Sequence, residues 1–331
     1  MDRVAVIGLG NIANRHRKNL KTLFPNSQLY AMSASGRVPE STVSDADYIV
    51  NSIDDLLNKR VQLVIVASPA PFHVSHAIPL IEAGIPVLIE KPVATNTEDT
   101  TALLEAISQY STPVAVGYCL RYLSSAREMK KLLELNVIGH LYHANVEIGQ
   151  YLPDWRPGKN YQDSVSANAS LGGGVLLELS HELDYTQWLL GELNLEYAIL
   201  SKTEELSIEV EDSADILLST QTRAVIHVHL DFLQRKAYRQ CRFVGSKGVL
   251  EWDLIGNEIR FVSTQGIEIL HCEPMWDKNQ MYISMIEDFV AQINNHANRT
   301  VSVEESAKVV DIIEQIKLHS PVTTVLGDLK G

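Results

Sequence analysis

Short β-branched runs alternate with helical patterns over the first third of the chain. Val4–Ile7, Gln28–Met32, Val61–Val66, Val87–Ile89 and Val114–Val116 have the continuous apolar character of strands buried on both faces. Between them, Ala13–Phe24, Ile53–Leu57, His73–Ala83 and Glu98–Gln109 carry helix-forming residues, with Gly84 placed to end the third. Strand–helix alternation at this spacing predicts a parallel, doubly wound sheet.

After about residue 120 the pattern changes. Ala126–Leu135 predicts a helix. Longer strand-like runs follow at Tyr142–Ile148, Glu196–Ser201, Ser213–Ser219, Ala224–Phe232, Arg239–Val244, Val249–Asp253 and Glu258–Val262. Turn signals such as Gly245-Ser246-Lys247-Gly248 and Gly256-Asn257 join several of them, predicting a mostly antiparallel open sheet. One helix should run from the glycines at 172–174 to Leu190, and two more should cover Met281–His296 and Val303–Leu318. The expectation is an α/β chain. Residues 1–119 are expected to form a doubly wound domain, and residues 120–331 a second α/β domain.

Composition narrows the function. The chain has 331 residues, 28 Lys plus Arg against 41 Asp plus Glu, and a formal net charge of −13. With no basic run, it is a poor partner for nucleic acid or an anionic membrane surface. No apolar stretch approaches the ~20 residues of a membrane-spanning helix, and the N-terminal apolar run is too short for a signal peptide. Three cysteines, Cys119, Cys241 and Cys272, with no CxxC spacing argue against a disulfide framework and a thiolate metal site. The pairs His140/His143 and His227/His229 lack a convergent acidic set, so no metal is expected. A reducing cytoplasm is the simplest compartment.

Gly8-Leu9-Gly10-Asn11-Ile12-Ala13 follows the first strand and opens the first helix. Gly8 permits the turn, Gly10 admits a pyrophosphate to the backbone, and Ala13 allows close helix–strand packing. The helix N-terminus offers unpaired N–H groups to phosphates. A dinucleotide would therefore contact Gly8, Gly10, Asn11 and Ile12; the bland alternative is a tight turn only. An acid that bonds the ribose 2′-OH usually ends the second strand. Here the strand ends in Met32-Ser33-Ala34-Ser35-Gly36-Arg37. Ser33, Ser35 and Arg37 favour NADP(H), with NAD(H) as the alternative; otherwise Arg37 is a solvated loop residue.

Ser68-Pro69 and His73 follow the third predicted strand, and Glu90-Lys91-Pro92 the fourth. Carboxyl ends of parallel strands are where such sheets bind ligands. Lys91 is a candidate acid/base, since burial or a neighbouring cation lowers a lysine pKa toward neutrality; the alternative is a surface lysine paired to Glu90. In the second domain, Glu178, His181 and Asp184 repeat at i, i+3, i+6 after the glycines, along one predicted helix face. An acidic stripe can orient a proton-relaying histidine, or it can be a solvated face. Trp155, Arg156 and Tyr161 between strand and glycines suit a sugar ring with an anionic group, or a packed loop.

These residues together resemble the Gfo/Idh/MocA family, almost end to end: GLGNIA at the N-terminus, Ala67-Ser68-Pro69 with His73, Glu90-Lys91-Pro92, Gly117-Tyr118 with Arg121-Tyr122, and Gly172–Asp184 followed by Trp188 and Gly191. Glu211-Asp212-Ser213-Ala214 and Gly245–Gly248 match in type and order. The resemblance implies that residues 1–119 form an NAD(P)-binding Rossmann domain and residues 120–331 the domain for substrate binding and oligomerisation, with hydride transfer between NAD(P) and a sugar, cyclitol or related polyhydroxylated small molecule, in a homodimer or homotetramer. It implies that Lys91 meets the reacting hydroxyl, that His181 is the histidine preceding the second-domain Asp184, and that Tyr118 and Arg121 join the substrate site. Many members carry Asp four residues before that histidine; here Glu178 lies three before it. The Tyr151–Tyr161 segment is similar to members of bacterial surface-sugar and nucleotide-sugar pathways. A non-catalytic nucleotide sensor on the same fold is the competing reading, and the presence of both Lys91 and His181 favours the enzyme.

Overall fold

The structure is a computed structural model and describes residues 1–325. In chain order the first elements are β1 (Arg3–Ile7), α1 (Asn11–Leu23), β2 (Gln28–Met32), β3 (Tyr48–Val50), α2 (Ile53–Asn58), β4 (Val64–Val66), α3 (His73–Glu82), β5 (Val87–Ile89), α4 (Thr97–Tyr110) and β6 (Val114–Val116). Then come α5 (Ser124–Glu134), β7 (Leu141–Gly149), α6 (Val175–Glu178), α7 (His181–Leu190), β8 (Leu193–Thr203), β9 (Ser213–Thr220), β10 (Val225–Asp231) and β11 (Tyr238–Gly245). The last are β12 (Gly248–Asp253), β13 (Glu258–Ser263), β14 (Gly266–Cys272), α8 (Gln280–Ile293), α9 (Val303–His319) and β15 (Val322–Val325).

Contacts divide the chain into two compact units. One is Met1–Cys119 with Asn279–Asp311; the other is Leu120–Lys278 with the chain from Ile312 onward. Helix α8 and the start of α9 thus pack with the N-terminal sheet, although nothing in their sequence marks a return to it.

In the first unit the strand order is β3-β2-β1-β4-β5-β6, all parallel. The order reverses between β1 and β4, the switch point at which open α/β sheets bind ligands. Ala5, Ile7, Val64, Val66, Val87 and Ile89 pack with Val74, Ala77 and Leu80 of α3 and Leu103 of α4. The alternate residues Val4, Val6, Ile65 and Leu88 are equally buried, so both sheet faces are covered and the strands read as unbroken apolar runs. Each such side chain contributes roughly 1.5–3 kcal/mol. Strand β3 escaped the sequence reading: it is a three-residue edge strand whose Tyr48 and Ile49 are exposed. Edges need no apolar run.

The second unit is built on a sheet of order β14-β13-β12-β11-β7-β10-β9-β8-β15. Most pairs are antiparallel; β7–β10 and β8–β15 are parallel. One face buries Val146, Ile216, Leu218, Val228, Leu230 and Phe243. Strands β14 and β15 went unread, being largely exposed along their length. Among the described residues no helix is long and apolar enough to cross a membrane.

Candidate functional site

The parallel ladder continues past the strand ends. Gly8 N–H donates to Met32 O (2.8 Å), Ala67 N–H to Ile7 O (2.7 Å), Glu90 N–H to Val66 O (2.8 Å) and Gly117 N–H to Ile89 O (2.7 Å). These loops therefore form one ordered row along the carboxyl edge of the first sheet. Gly8 sits at φ +117°, and a Cβ there would lie 2.2 Å from the Ala67 carbonyl oxygen. Only glycine fits. Gly10 differs: a Cβ would meet nothing within 4 Å. Gly10 is the N-cap of α1, with no side-chain cap and no acid in the first turn. The helix thus presents open N–H groups and the positive end of its dipole, with Gly10 and Asn11 exposed beside them. This arrangement fits the pyrophosphate of a dinucleotide.

At the end of β2, the buried Ser33 hydroxyl donates to Arg37 O (2.7 Å) and so shapes the loop, while Ser35 and Arg37 are exposed. Ser68 Oγ lies 3.0 Å from His76 Nδ1, beside the half-buried Pro69. His73, at the start of α3, packs against the same edge. It is fully buried, with Nδ1 on Pro92 O (2.9 Å) and Nε2 on Ser68 O (2.8 Å), and it ties two carboxyl-edge loops together. Burial pushes its pKa down.

Glu90 also differs from expectation. Its carboxylate turns inward: Oε1 lies 2.6 Å from His16 Nε2 of α1, and Oε2 accepts from the Lys91 main-chain N–H (3.2 Å). Burial pushes the Glu90 carboxyl up, but the hydrogen bond and attraction from His16 and the Lys91 ammonium outweigh it, leaving it below the usual value. Lys91 itself is half-buried at the sheet edge. Tyr118 is fully buried and packs with the apolar core of the first unit.

The second unit departs most from the periodic pattern. The predicted helix from the glycines to Leu190 is two pieces, broken at Leu179-Ser180. Glu211 anchors the first: its main-chain oxygen accepts from Val175 N–H (3.1 Å) and its Oε1 from Leu176 N–H (3.3 Å). Gly174, at φ +100°, makes room, since a Cβ would lie 2.3 Å from Glu211 Oε1. The break dissolves the Glu178–His181–Asp184 stripe. Glu178 accepts from Ser166 Oγ (3.0 Å). His181 opens α7, half-buried. Asp184 is buried and takes both prongs of Arg121, Nε at 3.0 Å and Nη2 at 2.7 Å.

Trp155, Arg156 and Tyr161 do come together, around a cavity of about 420 Å³ that Ser164 and Ser166 also line. Trp155 stands edge-on to Phe232, its Nε1 donating to Gln150 O (3.0 Å), while Tyr161 Oη donates to Leu206 O (3.0 Å). Ser166 links this cavity to Glu178. The histidines of β10 pair with Asp215 of β9 and with Asp231 of their own strand, and among the described residues no group of three or more His, Cys, Asp and Glu could hold a metal ion. His227 and His229 share Asp215 Oδ1 (3.0 and 2.8 Å), and His229 reaches Asp231 Oδ2 (3.0 Å).

Three buried polar residues of α1 escaped the sequence reading, His16, Arg17 and Asn19. Arg17 Nε donates to Ser44 O (2.8 Å) and Nη1 to Gly8 O (3.3 Å), holding the glycine loop from beneath. In sequence, His16 and Arg17 sit in the polar run Asn14–Asn19, which reads as a solvated helix face.

A glycine turn at the switch point of a 3-2-1-4-5-6 parallel sheet, over an uncapped helix, defines a dinucleotide-binding protein of the Rossmann class. Residues 3–118 match the family model for the Gfo/Idh/MocA oxidoreductases with NAD-binding Rossmann fold, and residues 126–251 match the GFO/IDH/MocA C-terminal domain. The chain belongs to this oxidoreductase family. It is 28% identical over 266 residues to an inositol 2-dehydrogenase of Saccharopolyspora erythraea, covering 75% of this chain and 72% of that protein. Its fold is similar to levoglucosan dehydrogenase in complex with NADH (TM-score 0.81, 20% identity, 95% of each chain). It is also similar to a 3-ketoreductase of Actinomadura kijaniata in complex with NADP and TDP-benzene (TM-score 0.82, 19% identity, 98% of this chain and 99% of that one).

Proposed function

We propose that this chain is an NAD(P)-dependent oxidoreductase acting on a CH–OH group of a sugar, cyclitol or nucleotide sugar. The observation that carries it is the contrast at the glycine loop: Gly8 is jammed against Ala67, whereas Gly10 is open at an uncapped helix start. Gly8, Gly10, Asn11 and Ile12 hold the pyrophosphate. Ser35 and Arg37 receive the adenosine ribose, and Ser68, Pro69 and Lys91 border the nicotinamide side. When bound, the nicotinamide supplies or accepts the hydride. Lys91 takes or returns the proton of the substrate hydroxyl, and His181 is the second candidate for proton relay. Trp155, Arg156 and Tyr161, with Glu178 behind Ser166, form the polyol-binding surface. Arg156 and Lys159 would favour an anionic substituent such as a sugar-linked diphosphate.

The missing acid after β2 and the exposed Arg37 support a preference for NADPH. The exposed row of Tyr197, Leu217 and Val225 on β8, β9 and β10 supports self-association through the second-unit sheet, as a homodimer or homotetramer. The test is fluorescence titration with NADH and NADPH, followed by turnover with myo-inositol, levoglucosan and UDP-sugars. Binding followed by reduction of NAD⁺ or NADP⁺ is expected. Failure to bind either nucleotide overturns the proposal; tighter NADH, or an Arg37→Ala variant that weakens both cofactors equally, overturns the NADPH preference. Light scattering reads the oligomer.

A further inference from the structure

The mechanism above uses Lys91 but leaves the polar group behind it unexplained. His16 is completely buried in α1, a costly place for an imidazole without a task. Its Nε2 lies 2.6 Å from Glu90 Oε1, and its Nδ1 has no hydrogen-bond partner among the described residues. The proton is therefore used on Nε2, donated to the carboxylate, because an N–H on Nδ1 would be buried unsatisfied. Tyr282 of α8 stands edge-on to the His16 ring at 6.1 Å, and Arg15 lies over the outer part of Tyr282 at 4.6 Å. The ring is thus clamped from a second helix. Glu90, so held, spends its other oxygen on the main chain of Lys91. Gly117 leaves no slack on the far side, since a Cβ there would lie 3.2 Å from Glu90 Oε1.

We infer that His16 is a positioning residue for Lys91: acting through Glu90, it fixes the Lys91 main chain and keeps an ionised carboxylate beside the Lys91 ammonium. This rests on the reading that Lys91 handles the substrate proton. Other groups face Glu90 too. They are Lys91 on its own segment, Tyr282 from α8, and His73 from α3. Of these, Tyr282 also meets Cys119, and burial holds its hydroxyl well above the usual phenol range, so it stays neutral. Removing His16 takes away the hydrogen bond that opposes burial, so Glu90 should protonate at higher pH.

The experiment reads Glu90 and Lys91 directly in the full chain. Carboxyl titration by NMR on protein labelled with ¹³C-glutamate, with Glu90→Gln identifying the resonance, should show the Glu90 midpoint rising by about one pH unit or more in His16→Leu. In His16→Gln, whose amide can reach the same oxygen, it should rise less. Acetylation of Lys91 by acetic anhydride at neutral pH, read by peptide mass spectrometry against exposed Lys18 and Lys59, should accelerate about threefold or more in Glu90→Gln, which removes the charge, and less in His16→Leu, where the carboxylate stays ionised at that pH. Should His16→Leu fail to fold, His16→Asn, too short for the contact, carries the same test. An unmoved Glu90 midpoint in folded His16→Leu, or unchanged Lys91 reactivity in folded Glu90→Gln, overturns the inference. Neither readout needs a substrate. A Lys91→Met protein that still turns over would refute the role of Lys91, and is thereby distinguishable from failure of the His16 link.

Discussion

Arg121 grips Asp184 with two prongs, at 3.0 and 2.7 Å, with side-chain exposures of only 7% and 1%. The pair joins the turn Cys119–Tyr122 to α7, the helix that begins at His181. Two charges drawn from segments 63 residues apart are thereby neutralised in the interior. Removing one partner leaves the other buried and unpaired, which costs far more than the pair itself contributes. Arg121→Met should therefore destabilise the chain by about 3–5 kcal/mol. The double variant Arg121→Met/Asp184→Leu should recover most of that loss. Urea denaturation of the three proteins checks this, and a double variant as unstable as the single one refutes it.

The two loop glycines should fail in different ways. Gly8→Ala places a Cβ against the Ala67 carbonyl at a positive φ, so it should lower the melting temperature. Gly10→Val meets no protein atom within 4 Å. It should leave the melting temperature unchanged while abolishing NADH and NADPH binding, as measured by calorimetry and fluorescence titration. Normal nucleotide binding by Gly10→Val removes the phosphate assignment.

Lys91 and His181 should matter for turnover more than for folding. General acid–base groups contribute roughly 100- to 10,000-fold. Lys91→Met should lower kcat by that order, with cofactor affinity and melting temperature nearly unchanged. His181→Asn should lower it less, because Lys91 still carries the proton. Steady-state kinetics on the substrate found by the polyol screen decides both.

His229 supplies the pH test of the second unit. Hydrogen bonds that His229 donates to Asp231 and then to Asp215, against the opposing effect of burial, raise its pKa from 6.5 to about 9. A raised pKa means that the folded state holds the proton more tightly, so this stabilisation is full below about pH 6.5 and disappears as pH rises through about 9. The melting-temperature gap between the parent and His229→Asn should be widest near pH 6 and close above pH 9. A gap independent of pH contradicts the assignment.

Local signals carried a large part of the architecture. The apolar runs of β1, β2, β5 and β6 and the GLGNIA turn were legible because burial on both faces forces continuous Val/Ile/Ala strands, and because a positive-φ turn against Ala67 admits only glycine. The cluster of Trp155, Arg156 and Tyr161 was legible for a similar reason: those residues lie within seven positions of one another, so a single loop brings them around one cavity. Lys91 and His181 were visible as chemistry-bearing residues beside glycines and strand ends.

What the tertiary structure alone decided involves partners distant in sequence. Nothing near Arg121 announces Asp184, and nothing in the run Asn14–Asn19 announces that His16 turns inward to Glu90, 74 residues away. The break after Glu178 was equally hidden. Helical spacing continues through Leu179-Ser180, but the chain starts one short helix on Glu211, ends it at Glu178 and starts another at His181. Periodicity reports which side of a local element is apolar. It cannot report which buried charge will meet which, because a polar residue in a helix is equally compatible with water and with an ion-pair partner supplied by another segment. That choice is made only when the packed core closes around both groups and removes the water.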